Sequence, residues 1–93
     1  MDIKNHNDGK RGSFFLEDGG KQIDKMDYMF AGPIKMVIVH TEVDEAYHGK
    51  GLGGLLVKAG VDYAREHHKK ISPLCHFAKK VLEETPEYGD VLF

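Results

Sequence analysis

The sequence lacks the features that define several large classes of protein. It has one cysteine, Cys75, so it cannot form an internal disulfide, and a free thiol is typical of a reducing compartment. No apolar run approaches the roughly 20 residues of a membrane-spanning helix, and the N-terminal residues lack the apolar core of a signal peptide. The formal net charge of -2 provides no positive field for nucleic acid or an anionic membrane. We therefore expect a cytoplasmic protein that binds neither nucleic acid nor membrane.

Metal-binding patterns are also missing. The chain has six histidines, but no two are spaced as H-x-x-x-H, and there is no C-x-x-C. His67 and His68 are adjacent in a predicted helix, so their side chains point to different faces and cannot chelate one ion together. No metal site is predicted.

The first half of the chain predicts antiparallel strands within one small domain. Residues 1–12 are polar and contain glycine, so we expect a flexible lead followed by a domain over residues 13–93. Strands are predicted over residues 13–17, 22–31 and 34–43 from period-2 alternation and from the turns Asp18-Gly19-Gly20 and Gly32-Pro33. In the third strand the alternation places Met36, Ile38 and His40 on one face. Apolar residues on its other face predict a central strand that is covered on both sides.

The second half predicts a helix, a short strand and a second helix. Leucines, an alanine and a tyrosine recur at helical spacing: Leu52, Leu55, Leu56, Ala59 and Tyr63. Pro73 lies inside the strand predicted over residues 71–75, which favours an edge or splayed position. A helix over residues 76–84 and an extended segment over residues 88–93 follow. The predicted fold is α+β, with three antiparallel strands and then a parallel crossover.

A glycine-rich turn over residues 47–54 carries the strongest functional signal. Its sequence, YHGKGLGG, lies between a predicted strand and a predicted helix. Backbone N–H groups at such a turn, with a helix N-terminus behind them, bind phosphate or pyrophosphate well. Glycines let the ligand approach the main chain, because there is no Cβ in the way.

Two common phosphate-binding motifs do not fit this context. Gly49-x-Gly51-x-x-Gly54 matches the dinucleotide fingerprint, but that motif follows the first strand of its unit and precedes an acid by about 20 residues. Here three predicted strands come first, and Leu74-Cys75-His76 occupies the place of the acid. A Walker loop requires Gly-Lys followed by Ser or Thr, which the sequence does not contain.

Residues 41–56 resemble the acetyl-CoA-binding motif of GNAT N-acetyltransferases, [Q/R]-x-x-G-x-[G/A]. Gly51 and Gly53 match the motif, whereas His48 stands where Gln or Arg is usual. A neutral imidazole offers one N–H donor and less charge, so the departure predicts weaker or more pH-dependent pyrophosphate binding.

The chain from about Ser13 resembles a short GNAT-like subfamily more specifically. Three further features carry this resemblance: His40-Thr41 before the turn, the stretch of residues 73–78 (PLCHFA), and Thr85-Pro86-Glu87-Tyr88 near the C-terminus. The resemblance implies a trimmed GNAT fold, with acetyl-CoA as cosubstrate wedged where two strands splay apart.

The resemblance also implies which residues form the site. The residues implied to bind coenzyme A are Glu42, Val43, His48, Gly49, Lys50, Gly51, Leu52, Gly53 and Gly54. Cys75 and His40 are the candidate catalytic residues near the thioester. In larger relatives an asparagine and a general-acid tyrosine occupy the positions of Cys75 and Leu82, so the usual acid is absent from this chain.

Cys75 lies between a predicted strand and a predicted helix, where the helix dipole lowers the pKa of a thiol. His40 on the neighbouring strand could then act as its base or ion-pair partner. Both residues also have structural interpretations that involve no catalysis. Cys75 would be a small buried side chain, and His40 would be an interior histidine whose hydrogen bonds are satisfied.

Three functions remain open from the sequence. The first is an acetyltransferase that moves acetyl from CoA to an amine or thiol acceptor, with Cys75 as a candidate carrier. The second is a non-catalytic module that binds or senses CoA or acyl-CoA. The third is a protein-interaction domain that kept the fold and lost the ligand. The acceptor and the oligomeric state are not defined by the sequence.

Overall fold

The computed structural model describes residues 2–44, 46 and 51–93. The described residues form strands β1 Asp2–Asn7, β2 Arg11–Asp18, β3 Lys21–Ala31, β4 Lys35–Val43 and β5 Lys70–Pro73, helices α1 Leu52–Glu66 and α2 His76–Glu84, and a C-terminal 3₁₀ helix Pro86–Val91.

The five strands of the described residues form one sheet in the order β1-β2-β3-β4-β5. Strands β1 to β4 are an antiparallel meander, and β5 lies parallel to β4 after α1. Gly19 and Gly20 both have positive φ, 60° and 82°, as a tight hairpin turn between β2 and β3 requires. The α+β fold, this turn and the parallel crossover confirm the predictions from the sequence.

Strand β1 corrects the expectation of a flexible lead over residues 1–12. Asp2–Asn7 pairs in register with Gly12–Glu17 of β2. Its side chains are mostly exposed, so the sequence carries no apolar alternation there. Backbone ladder bonds hold the strand, and Asn5 and Asn7 both hydrogen-bond to the hydroxyl of the buried Tyr28. A polar edge strand of this kind is invisible to a hydrophobicity pattern.

The hydrophobic core lies between one face of the sheet and the two helices. Its largest fully buried side chains come from four strands and both helices: Leu16, Met26, Tyr28, Met36, Ile38, Leu56, Val57, Val61, Ile71 and Leu82. Gly60 of α1 lies so close to Met26 that a Cβ there would be 3.0 Å from its methyl group. Leu55, one of the apolar residues that recur at helical spacing in the sequence, is 45% exposed.

A β-bulge at Val39 changes which side chains of β4 share a face. Tyr28 of β3 pairs with Ile38, but Asp27 pairs with His40, so Val39 is the extra residue. After the bulge the alternation is reversed: Thr41, opposite the buried Met26, lies on the core face, and His40 lies on the opposite face with Asp27. The predicted row of Met36, Ile38 and His40 was therefore wrong at His40.

The second face of the sheet carries no helix among the described residues. Met29 and Val39 on this face are 37% and 44% exposed, and both described helices contribute to the single core on the other side. The prediction that β4 is covered on both sides therefore fails at Val39, although Val37 on the same face is only 7% exposed. We call this second side the open face.

Strands β4 and β5 splay apart as Pro73 predicted. Their pairing begins at Lys35 and Lys70 and ends at Ile38 and Pro73. The N–H groups of Leu74 and Cys75 both donate to the carbonyl of Ile38, at 2.9 and 3.2 Å, and the chain then turns into α2. Since proline has no N–H, the ladder cannot continue through it.

The C-terminal segment is helical rather than extended. Pro86–Val91 forms a 3₁₀ helix with the proline at its start, where a missing N–H does no harm. Only Leu92 forms a bridge to Ile71 of β5. Helices α1 and α2 do not combine the length and the apolar character needed to cross a lipid bilayer, and no other described helix does either.

Candidate functional site: the gap between β4 and β5

The candidate site begins where β5 leaves β4. Beyond Ile38, the described residues of β4 pair only with β3. The main chain of β4 from His40 to Val43 therefore has one edge that no described strand pairs, although the thiol of Cys75 lies against it at Thr41. Two of the predicted CoA-binding residues, Glu42 and Val43, lie on this edge. Their side chains are exposed.

The first turn of α1 has N–H groups that no described residue pairs. Its first backbone bond runs from the N–H of Leu55 to the carbonyl of Gly51, at 3.3 Å, so the N–H groups of Leu52, Gly53 and Gly54 have no partner within the helix. The N-cap, Gly51, makes no side-chain cap bond, and the first turn contains no acidic residue. This is the arrangement that binds an anion.

The glycines of the turn serve different purposes. Gly51 has φ of 73°, the left-handed conformation that other residues adopt with strain. Gly53 packs against Phe77, and a Cβ there would lie 2.6 Å from the ring. A Cβ on Gly54 would meet nothing within 4 Å, so the space beside it is open. His48, Gly49 and Lys50, the other predicted residues of the turn, lie outside the described residues.

Cys75 stands at the far side of the gap, as the N-cap of α2. Its Sγ lies 3.3 Å from Oγ1 of Thr41, the residue that the bulge turns toward the core face. Partial burial raises the pKa of the thiol, but the Thr41 hydroxyl and the N–H groups of Ala78 and Phe77 outweigh it, so the pKa lies below its ordinary value. The side chain makes no cap hydrogen bond, so the N–H groups of α2 act as oriented dipoles.

His40 does not meet Cys75 as the sequence predicted. Its Nε2 lies 3.2 Å from Oε1 of Glu42, two residues along the same strand, and both side chains are exposed on the open face. The bulge at Val39 is the reason, because it separates His40 and Thr41 by face. The sequence missed Thr41 as the partner of the thiol. Its only signal was its position after His40.

The described residues provide neither a general acid at position 82 nor a cluster of metal-binding side chains. Leu82, at the position of the general-acid tyrosine in larger relatives, is 1% exposed and packs in the core, so it supplies no proton. No group of three or more His, Cys, Asp or Glu side chains in the described part of the chain is arranged to hold a metal ion.

The comparisons with known proteins identify the class. Residues 13–91 match the sequence model of the family described as GCN5-related N-acetyltransferase. Zebrafish (Danio rerio) protein NATD1 is 31% identical over 86 residues, which cover 90% of this chain and 77% of that protein. Human NATD1 is 34% identical over 59 residues, and the matched region is only 52% of its length.

Solved structures agree in fold. The NMR solution structure of a GCN5-like protein from Staphylococcus aureus has a TM-score of 0.78 at 33% identity and covers 99% of this chain and 87% of that one. An aminoglycoside 6'-N-acetyltransferase complexed with coenzyme A has a TM-score of 0.64 at 12% identity, over 71% of this chain and 38% of that one, which shows the fold alone. This chain belongs to the GCN5-related N-acetyltransferase (GNAT) family.

Proposed function

We propose that the protein transfers acetyl from acetyl-CoA to an amine or thiol acceptor, at the gap between β4 and β5. One observation carries the proposal: Cys75 contacts Thr41 beyond the paired part of β4, and Phe77, two residues after Cys75, packs against Gly53 in the uncapped first turn of α1. Such an arrangement offers an anion site at one end and a nucleophile at the other. A fold neighbour was solved with coenzyme A.

The residues of the gap fit coenzyme A by their chemistry. The free N–H groups of Leu52, Gly53 and Gly54 would hold the pyrophosphate, with the predicted His48, Gly49 and Lys50 beside them and Gly51 shaping the turn. The edge of β4 at Glu42 and Val43 offers backbone groups to the amide-rich pantetheine arm, which binds as a strand would.

Cys75 is the proposed carrier of the acetyl group. Its thiolate would attack the carbonyl carbon of the thioester, forming a new C–S bond to Cys75 as the bond to the CoA sulfur breaks, with CoA leaving as its thiolate. One thioester replaces another, so the exchange is nearly balanced in energy. The lowered pKa of the thiol and the nearby hydroxyl of Thr41 both favour the attacking thiolate. An acceptor then takes the acetyl group and returns the thiol.

His40 is proposed to serve the acceptor instead of the cysteine. It is exposed on the open face next to the bulge, and Glu42 orients its imidazole. In that position it would accept a proton from an incoming amine. Cys75 would thus act on the thioester, and His40 would act on the acceptor.

The second candidate is a module that binds CoA or acyl-CoA without turnover. The burial of Leu82 favours it, because the position of the usual general acid cannot donate a proton. Location in the cytoplasm and action without nucleic acid or membrane also remain proposals, supported by the single cysteine and the net charge of -2.

Intact mass after incubation with acetyl-CoA tests the transfer. We expect one acetyl group on the wild-type chain and free CoA in solution, and no adduct on the Cys75→Ser variant. Ser72→Ala, a substitution in β5 that keeps Cys75, is the control and should gain the adduct. CoA release without an adduct, at the same rate in Cys75→Ser, would remove the cysteine from the mechanism. A complex without CoA release would favour the sensing module.

A further inference from the structure

Asp24 is a carboxylate within the apolar row of β3. It lies on the core face with Met26 and Tyr28, and it is 1% exposed. No other charged side chain in the described part of the chain is buried. None of the ion pairs among the described residues includes Asp24. The core therefore contains a carboxylate that has no described counter-ion.

The two oxygens of this carboxylate differ in their partners. Oδ1 accepts a hydrogen bond of 2.9 Å from the N–H of Asp44. Oδ2 is buried, and no described residue donates a hydrogen bond to it. A buried oxygen without a donor costs free energy of folding, and an apolar side chain at the same position would avoid that cost. The burial of Asp24 is therefore unfavourable at Oδ2, and its use must lie at Oδ1.

The N–H of Asp44 has a second acceptor, the carbonyl of Ile23, at 3.1 Å. That backbone bond continues the pairing of β3 with β4 past its last pair, Asp24 and Val43. The two strands would therefore stay joined without the carboxylate. The carboxylate adds a second bond from β3 to Asp44, the first residue after β4, and this bond restricts the orientation of its peptide group.

Asp44 begins the segment that leads from β4 to the first turn of α1. Its own Oδ1 accepts a hydrogen bond of 2.9 Å from the N–H of Ala46, which forms an Asx turn. Its Oδ2 lies 3.7 Å from Nζ of Lys21. Two bonds in succession, from Asp44 to Asp24 and from Ala46 to Asp44, therefore fix the chain where it leaves the sheet. Val43, directly opposite Asp24, is one of the predicted CoA-binding residues.

We propose that Asp24 is a positioning residue for coenzyme A: it fixes Asp44, and with it the start of the segment that leads to the pyrophosphate site at the first turn of α1. The inference rests on the proposed function and adds to it a buried residue that does not touch the ligand. A chain that is ordered before binding loses less conformational entropy when the ligand binds. Loss of the acceptor oxygen should therefore weaken CoA binding, although removal of a negative charge alone would favour an anionic ligand.

Two substitutions separate the oxygen from the charge, with calorimetry, thermal unfolding and amide hydrogen exchange as the measurements. Asp24→Val removes both groups and leaves Asp44 bonded to Ile23, so we expect a Tm no lower than that of wild type. In the same variant we expect the Kd for CoA to rise about tenfold and exchange at the amides of Asp44 and Ala46 to become faster. Asp24→Asn keeps an acceptor oxygen and loses the charge, so its Kd should be no higher than that of wild type and the exchange should not change.

Asp27→Val is the matched control, because Asp27 lies on the same strand but is 35% exposed and has Ser13 and Lys25 as its partners. Its Kd for CoA should be no higher than that of wild type. Equal CoA affinity in Asp24→Val and wild type would overturn the inference, as would an Asp24→Asn variant that binds as weakly as Asp24→Val. A fall of both Tm and affinity in Asp24→Val would leave Asp24 a purely structural role. These results refute the inference alone, whereas a wild-type chain that binds no CoA would refute the proposed function and the inference together.

Discussion

Gly53 and Gly54 are adjacent in the first turn of α1, yet each lacks a side chain for a different reason. Gly53 is buried against the ring of Phe77, whereas the space beside Gly54 is open. Alanine stabilises a helix relative to glycine, so Gly54→Ala should raise the free energy of unfolding by about 0.5–1 kcal/mol. Gly53→Ala should be less stable than Gly54→Ala by about 1–3 kcal/mol, because its methyl group overlaps Phe77.

Urea unfolding of the two variants measures this difference. CoA titration supplies a second measurement, because a methyl group at Gly54 intrudes on the space proposed for the pyrophosphate and should weaken binding several-fold. Equal stability of the two variants would show that Phe77 moves away freely. If Gly54→Ala binds CoA as tightly as wild type does, the pyrophosphate does not occupy that space.

Thr41 controls the reactivity of Cys75 in this account. Its hydroxyl lowers the pKa of the thiol against the effect of burial, so Thr41→Val should raise that pKa. Less thiolate is then present near neutral pH, and the rate of alkylation by iodoacetamide should fall by up to about tenfold, the effect of one pKa unit. Thr41→Ser keeps the hydroxyl and should alkylate like wild type. Alkylation of the Thr41→Val variant as fast as that of wild type would contradict this role of Thr41.

The face of β4 on which His40 lies is the clearest example of a property that the sequence could not predict for a single residue. Period-2 alternation gave its neighbours Met36 and Ile38 the correct face, and both are buried. Alternation cannot locate a bulge, which depends on the register between two strands. One extra residue at Val39 therefore exchanged the faces of His40 and Thr41 and changed the expected partner of Cys75.

The C-terminal 3₁₀ helix is held against α1 by one arginine. Arg65 donates to both carboxylate oxygens of Asp90, at 2.9 and 2.8 Å, and to the carbonyl of Glu87. Lys70 of β5 also donates to the backbone carbonyl of Asp90. Val91, next in the chain, is 2% exposed and joins the core. The arginine thus fixes the segment that places this valine.

Asp90 predicts a pH-dependent contribution to stability. The hydrogen bond from Arg65 lowers the pKa of this carboxyl below its ordinary value of 3.8. Because the folded pKa is the lower one, the contribution is complete above the unfolded value and disappears as pH falls through the folded value. Asp90→Asn should therefore have a lower Tm than wild type at neutral pH, and the difference should vanish in strong acid. A difference that persists there would contradict this origin.

The helices and strands that the sequence predicted correctly are those whose buried side chains leave a periodic apolar pattern. The helix over residues 76–84 matches α2, and the third predicted strand begins within one residue of β4. Strand β1 was missed because its stability comes from backbone pairing and from two asparagines on Tyr28. The 3₁₀ helix was missed because its anchor, Arg65, lies 25 residues from Asp90 in the chain.

The described part of the molecule is a sheet with helices α1 and α2 on one side. That side contains the core and the thiol of Cys75, and the open face carries His40 opposite Asp27. Under the proposed function, coenzyme A would bind on the side of Cys75 and the acceptor would approach His40 from the open face. The motif and the family could be recognised from the sequence, but the division of the site between faces required the register of β3 and β4.

Isothermal titration calorimetry with CoA tests the central claim that main-chain groups before and within the first turn of α1 bind its pyrophosphate. We predict a one-to-one complex with both CoA and acetyl-CoA, and much weaker binding of acetyl-pantetheine, which lacks the pyrophosphate. The absence of heat with both CoA and acetyl-CoA would contradict the account. Equal affinity for acetyl-pantetheine would also contradict it, because the pyrophosphate would then contribute nothing.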